Sequence, residues 1–185
     1  MDLLNLARRA HEDTGKIIGT LSAGDWESPT PCAEWAVRDV VRHLIDNNER
    51  FAALADERER FARQPSDGRL LEAFTESSAE LLGVFGAEAQ AKPIEFGRFG
   101  TLPGRRALGA LFVDVLVHGW DLDTAIGREH HWDDELATVA LSIAGRYPNA
   151  APVRGPGGAF ALALEAPPDA TPGERLIALL GRSVC

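Results

Sequence analysis

The stretch Phe112-Val113-Asp114-Val115-Leu116-Val117-His118-Gly119-Trp120-Asp121 sets an acid and an imidazole four residues apart inside an apolar helix. On a 3.6-residue turn, Asp114 and His118 stand on one face, one above the other. Their neighbours are Val, Leu, Phe and Gly. An ionisable group buried there without a partner is costly, so both side chains are expected to bond or coordinate something. A further histidine, His43, sits mid-helix in Val40-Val41-Arg42-His43-Leu44-Ile45. Two histidines and a carboxylate from two helices suit one divalent transition metal.

Outward from this stretch, apolar periodicity and Pro/Gly punctuation divide the chain. A first amphipathic helix is expected over Leu3 to Leu21, with Leu4, Ala7, Ile17, Ile18 and Leu21 inward. Ser28-Pro29-Thr30-Pro31-Cys32-Ala33-Glu34-Trp35 reads as a rigid loop. A second helix runs from Val37 to about Glu59, with Asp39 at its positive end. A third covers Arg69 to about Phe85, and the Gly/Pro-rich link 92–104 follows with short extended pieces. The fourth, about Arg105 to Ile126, holds the opening stretch and stops at Gly127. A fifth spans about Asp133 to Arg146. From Pro152 the character changes: a strand is expected over Ala159 to Leu164 and a last short helix over Gly173 to Leu180, capped by Thr171 with Pro172 and Glu174 following. The fold class is therefore all-α: an up-and-down four-helix bundle over 1–150, and a C-terminal extension, 151–185, packing on it.

At 185 residues and 45% hydrophobic, the chain is long enough to bury one sizeable core. A net charge of -9, with no basic run, argues against nucleic acid or an anionic membrane as partner. No apolar run is long enough to span a bilayer, and the first residues carry no basic leader, so a cytoplasmic protein is expected. Cys32 and Cys185 form no C-x-x-C pair, which argues against a disulfide framework and a cysteine-based zinc ribbon.

A catalytic zinc-type site takes three nitrogen or oxygen ligands and keeps one position open. His43, Asp114 and His118 meet that description in type and number, with zinc the natural ion and nickel an alternative. A plainer reading makes His43 a hydrogen-bonded core histidine, and Asp114 with His118 a buried pair holding no metal. Asp121, one turn beyond His118, either accepts its second ring N–H as an outer partner or is a surface or packing acid. Asn47 and Arg50, one and two turns past His43, either face the same bundle mouth or are solvated. Trp120 reads as core. His11, among Arg8, Arg9, Glu12 and Asp13, is expected on a solvated face, and His130-His131 in an exposed loop. Cys32 reads as a small buried hydrophobe, about three helical turns (~16 Å) from His43 if the chain between them is helical. Cys185 is given no role.

Two segments together resemble a known family. Thr30-Pro31-Cys32-Ala33-Glu34-Trp35-Ala36-Val37-Arg38-Asp39-Val40-Val41-Arg42-His43-Leu44 resembles the start of helix two in the metal-binding domain of mycothiol-dependent maleylpyruvate isomerases. Asp114-Val115-Leu116-Val117-His118-Gly119-Trp120-Asp121-Leu122 resembles that domain's second signature. The wider group is the DinB-like superfamily of metal-binding four-helix bundles, and the likeness runs over about Leu3 to Ala150. The Gly155-to-Ala178 segment resembles a single-domain, actinobacterial-type subfamily.

The resemblance implies His43, Asp114 and His118 as ligands, and mycothiol or a similar thiol as co-substrate. Characterised isomerases have a glutamate where Asp114 stands, so the carboxylate oxygen here is set back by one methylene. Ala36 stands where relatives often have Thr, which removes a side-chain helix cap worth about 1 kcal/mol. The isomerase's substantial second domain has no counterpart in the residues after the bundle, so maleylpyruvate isomerisation itself is not carried over. Bundles of this type often pair as homodimers, although no exposed apolar stripe here demands it. The functional expectation is a zinc-type metalloprotein that activates a small thiol toward an electrophile, a transferase or isomerase. The alternatives are a non-catalytic metal- or ligand-binding module and a bundle whose polar core is only structural.

Overall fold

The Asp2 carboxylate accepts hydrogen bonds from the backbone N–H groups of Leu4 and Asn5, and so opens the first helix, α1 (Leu3–Gly19). The computed structural model describes residues 2–32, 34–60 and 62–183. Six more helices follow among them: α2 (Val37–Ala55), α3 (Leu70–Val84), α4 (Ala87–Ala91), α5 (Gly104–Ala125), α6 (Asp134–Ala144) and α7 (Pro172–Leu179). A hairpin of β1 (Pro93–Glu95) and antiparallel β2 (Thr101–Pro103), with Ile94 opposite Leu102, supplies the extended pieces expected in 92–104. No helix among the described residues is long and apolar enough to cross a membrane.

Ala36 has no capping side chain, but the Asp39 carboxylate accepts its backbone N–H at 3.0 Å and secures the start of α2. Thr171 and Glu174 close a reciprocal capping box over Pro172, as the sequence leads one to expect for α7. The short α4 carries no amphipathic period of its own and was not anticipated. It docks at the foot of α5, where Gly104 lies so close to the Ala89 carbonyl that a Cβ would stand 2.0 Å from its oxygen.

The bundle is the DinB-like helical one, formed by α1, α2, α3 and α5, and its threading is up-down-down-up. Leu3 lies against Gly109 and Thr14 against Val115 and Gly119, so α1 and α5 run together. His43 meets His118 and Asn47 meets Asp114, so α2 runs against α5. Arg42 meets Asp67 just ahead of α3, and Asn48 meets Ser77 and Ser78, so α3 runs with α2. Consecutive helices can be parallel here because the connection 56–69 spans about 46 Å when extended, against roughly 28 Å for α2. Helix α1 packs on α3 and α5, as does α2, so α1 and α2 face each other across a diagonal.

The same core runs on through α6 and α7, where Leu136, Ala140, Leu176 and Leu180 join the buried cluster of the bundle. The strand expected over Ala159 to Leu164 does not form. An isolated bridge, Arg154 to Phe160, one bond from Leu164 N–H to the Ala178 carbonyl and the stacking of Phe160 on Tyr147 hold this segment, and Leu162 and Leu164 are exposed. An extended segment without a neighbouring strand has no ladder to join.

Candidate metal centre

Antiparallel α2 and α5 bring His43 and Asn47, one turn apart, opposite Asp114 and His118. One donor atom from each of His43, Asp114 and His118 lies within 4.8 Å of the other two. His43 Nε2 stands 3.1 Å from Asp114 Oδ2, and His118 Nε2 stands 3.5 Å from Asp114 Oδ1. His118 is sealed at 6% side-chain exposure, whereas His43 and Asp114 keep 29% and 21%, so the cluster opens toward solvent on their side.

The donors fit a zinc-type ion. Ligand bonds of ~2.0–2.1 Å at tetrahedral angles place ligand atoms about 3.3 Å apart. Each imidazole Nε2 lies near that distance from one Asp114 oxygen, His43 from Oδ2 and His118 from Oδ1, and the full set of three donors lies within 4.8 Å. A neutral His43 with its proton on Nδ1 would turn an Nε2 lone pair toward Asp114 Oδ2 at 3.1 Å. Such a contact requires a proton or a shared cation between the two atoms. Burial works to raise the Asp114 pKa. The charges of His43 and His118, with hydrogen bonds from His43 and Asn47, outweigh it and hold the carboxyl well below the usual range. Burial likewise opposes charge on His43, but the Asp114 charge and hydrogen bond prevail and raise its pKa.

Around these three the surroundings are built. Asn47 Nδ2 donates to Asp114 Oδ2 at 3.0 Å and lies 3.0 Å from His43 Nε2. Asp121 is fully buried, and its Oδ2 accepts the His118 Nδ1 proton at 2.8 Å. That places it behind His118 as an outer partner, not on the surface. A carboxylate held ionised can only accept, so His118 carries a proton on Nδ1 and turns Nε2 toward Asp114. Burial pushes Asp121 up, but the hydrogen bonds from Arg182 and His118 bring it below its ordinary value.

Two residues to which the sequence assigns no role join the site. Trp35 covers the cluster, its ring centroid 4.8 Å from that of His43 and 5.9 Å from that of His118. Its backbone carbonyl is pinned by the Thr30 N–H and hydroxyl at 3.0 and 2.9 Å. Arg182, from beyond α7, forks onto Asp121. Nothing in the local sequence around either residue signals these contacts. Arg50 is elsewhere, over the Phe51 ring and against Gly97, and Trp120 is half-buried outside the core cluster.

Three other expectations change. His11 is buried, not solvated: Nδ1 donates to the Ala7 carbonyl at 2.8 Å, Nε2 meets the Asn48 amide at 3.2 Å, and burial lowers its pKa. It shares the inward face of α1 with Ala7, Thr14 and Ile18. His130 is also shielded, bonded to Asp123 and edge-on to Trp132, while His131 is exposed. Cys32 is half-buried in a stretch that is not helical, so a helical rise does not set its distance from His43. Burial pushes its thiol up, Arg182 opposes this, and Asp121 and Asp114 add to it. Cys185 lies outside the described residues.

Residues 7–123 match the family described as mycothiol maleylpyruvate isomerase N-terminal domain. The chain belongs to that family. It is also 32% identical, over 184 residues and the full length of both chains, to the uncharacterized proteins MT0763 and Rv0738 of two Mycobacterium tuberculosis strains, CDC 1551 and H37Rv. No solved structure matches. The isomerase N-terminal-domain match contains His43, Asn47, Asp114, His118 and Asp121, and it ends 59 residues short of Arg182.

Proposed function

We propose that this chain binds one divalent transition-metal ion, of the zinc type, through His43, Asp114 and His118, and uses it to activate a small thiol such as mycothiol toward an electrophile, by transfer or isomerisation. The observation that carries the reading is the convergence of the three donor atoms within 4.8 Å, with a buried carboxylate orienting one of the imidazoles. When bound, such an ion supplies Lewis acidity that draws a proton from a thiol or water near neutral pH.

The chain's own residues supply the rest. Asp121 fixes the His118 tautomer, Asn47 steadies the Asp114 carboxylate, and Trp35 shields the two imidazoles from water on one side. Exposure of His43 and Asp114 leaves an approach for a substrate. In this reading the partners are small molecules in the cytoplasm, since a net charge of -9 repels phosphate backbones and anionic headgroups.

A second reading, a binding module without turnover, is favoured by one observation. Among the described residues, Asp121, the carboxylate behind His118, is saturated by His118 and Arg182 and so is not free to serve as a general acid or base. Elemental analysis of protein purified without added metal or chelator is the first test, with about one equivalent of zinc, nickel, iron or manganese expected. Less than roughly 0.2 equivalents, with no uptake on titration, leaves only the structural reading. Incubation with a thiol and a panel of electrophiles then separates the other two. Metal-dependent turnover that is lost in His118→Ala supports catalysis, and stoichiometric metal with no turnover supports the module.

A further inference from the structure

Helix α7 ends in a Schellman turn: the Gly181 N–H bonds the Ala178 carbonyl and the Arg182 N–H bonds the Ile177 carbonyl, both at 2.9 Å. Gly181 adopts φ +81 there, and a Cβ would stand 2.6 Å from that of Ala161, so only glycine fits. The turn sends Arg182 back toward the bundle. Its Nε donates to Asp121 Oδ1 at 2.8 Å and its Nη2 donates to Asp121 Oδ2 at 2.7 Å. Asp121 is 0% exposed and Arg182 9%, and the same Oδ2 accepts the proton of His118 Nδ1 at 2.8 Å. A bidentate guanidinium fork holds a carboxylate in one plane, which an isolated carboxylate on a helix does not keep.

We propose that Arg182 is a positioning residue for the metal cluster: it clamps Asp121 so that His118 keeps its proton on Nδ1 and its Nε2 directed at Asp114 and His43. The segment after the family domain is thereby part of the site, not a passive cover. The inference deepens the metal reading in one respect only. Control of the His118 tautomer is a property of the metal-free protein, and its consequence for affinity rests on the function proposed above.

The experiment uses the full chain with 15N-labelled histidine, metal-free, as wild type, Arg182→Lys and Arg182→Met. Long-range 1H–15N correlation reads the His118 tautomer, and chelator competition with zinc alone reads affinity. Wild type is expected to show one Nδ1–H tautomer. Arg182→Met is expected to show a mixture, with zinc affinity down 10- to 100-fold. Arg182→Lys, keeping charge but not the fork, falls between them. Should Arg182→Met not fold, Arg182→Gln keeps a donor toward the intact Asp121 without the charged fork, and the same two readouts are expected to shift in the same direction. A folded Arg182→Met or Arg182→Gln variant that keeps one Nδ1–H tautomer and zinc affinity within about twofold of wild type overturns the proposal and makes the ion pair a tail anchor. If wild type takes up no zinc, the metal reading fails, and the tautomer comparison still decides whether Arg182 acts on His118.

Discussion

Two aspartates of helix α5 hold histidines at equal distance and do different things. On one side Asp121 Oδ2 holds His118 Nδ1 at 2.8 Å, and on the other Asp123 Oδ2 holds His130 Nδ1 at the same distance. Behind the first stands Arg182, bidentate and buried; beside the second, the Arg128 Nη1 is 3.7 Å from Asp123 and largely solvated. The remaining nitrogen of His118 faces Asp114 and, across the bundle, His43. His130 instead rests on Trp132 and pins the connection between α5 and α6. A carboxylate behind a histidine orients the ring in either setting. The facing helix is what turns an oriented ring into a member of a ligand set.

The sharpest break of this comparison is on stability. Asp121→Ala leaves Arg182 buried without a counter-charge and is expected to cost about 3–5 kcal/mol in urea unfolding of the metal-free protein. Asp123→Ala removes a buried hydrogen bond but leaves no buried guanidinium without a counter-charge, and is expected to cost about 1–2 kcal/mol. Equal losses from the two would erase the distinction.

Zinc affinity separates the imidazoles next. His118→Ala removes one of three ligands, and a third of a ~10–16 kcal/mol binding energy predicts a loss of roughly a few hundredfold to several thousandfold by chelator competition. His130→Ala is expected to stay within about twofold of wild type.

Acidity sharpens the contrast further. The pKa of His43 is raised, so more of it is protonated near neutrality than of a free imidazole, while a metal ligand must be neutral. Zinc affinity is therefore full above the raised value and falls as pH drops below it, by about tenfold per unit for one displaced proton. Isothermal titration at several pH values gives the slope, which His130→Gln is expected to leave unchanged.

The smallest effect concerns Gly119, next to His118 in sequence and facing His130. A Cβ on Gly119 would meet Thr14 Oγ1 at 3.0 Å and His130 Cε1 at 3.8 Å. Gly119→Ala should therefore wedge α1 from α5 by a few tenths of an ångström and lower stability by about 1 kcal/mol in thermal melts, leaving zinc uptake intact.

Much of this was legible in the sequence, for identifiable reasons. The long helices carry a 3.6-residue apolar period bounded by Pro and Gly, so their limits fall within a few residues of those observed; α2, which ends at Ala55 and not near Glu59, is the least well placed. Asp114 and His118 stand out because polar groups in an apolar helix need partners. His11 was misjudged because four charged neighbours in sequence mask a residue that belongs, by period, with Ala7 and Ile18. Arg182 and Trp35 were illegible because each acts through a contact made only on folding, from a turn 61 residues past Asp121 and from a proline-rich loop. The order of the helices was hidden for a related reason: connection length permits either threading, and packing decides.

Burial of the Asp121–Arg182 pair also sets how the protein meets ionic strength. Mobile ions screen half-exposed clasps such as that of Arg9 with Asp133 and Glu135, and scarcely reach a pair at 0% and 9% exposure. The net charge of -9, by contrast, draws cations from a distance through a field that salt flattens. Added salt should therefore slow the arrival of a metal ion while leaving its departure nearly untouched.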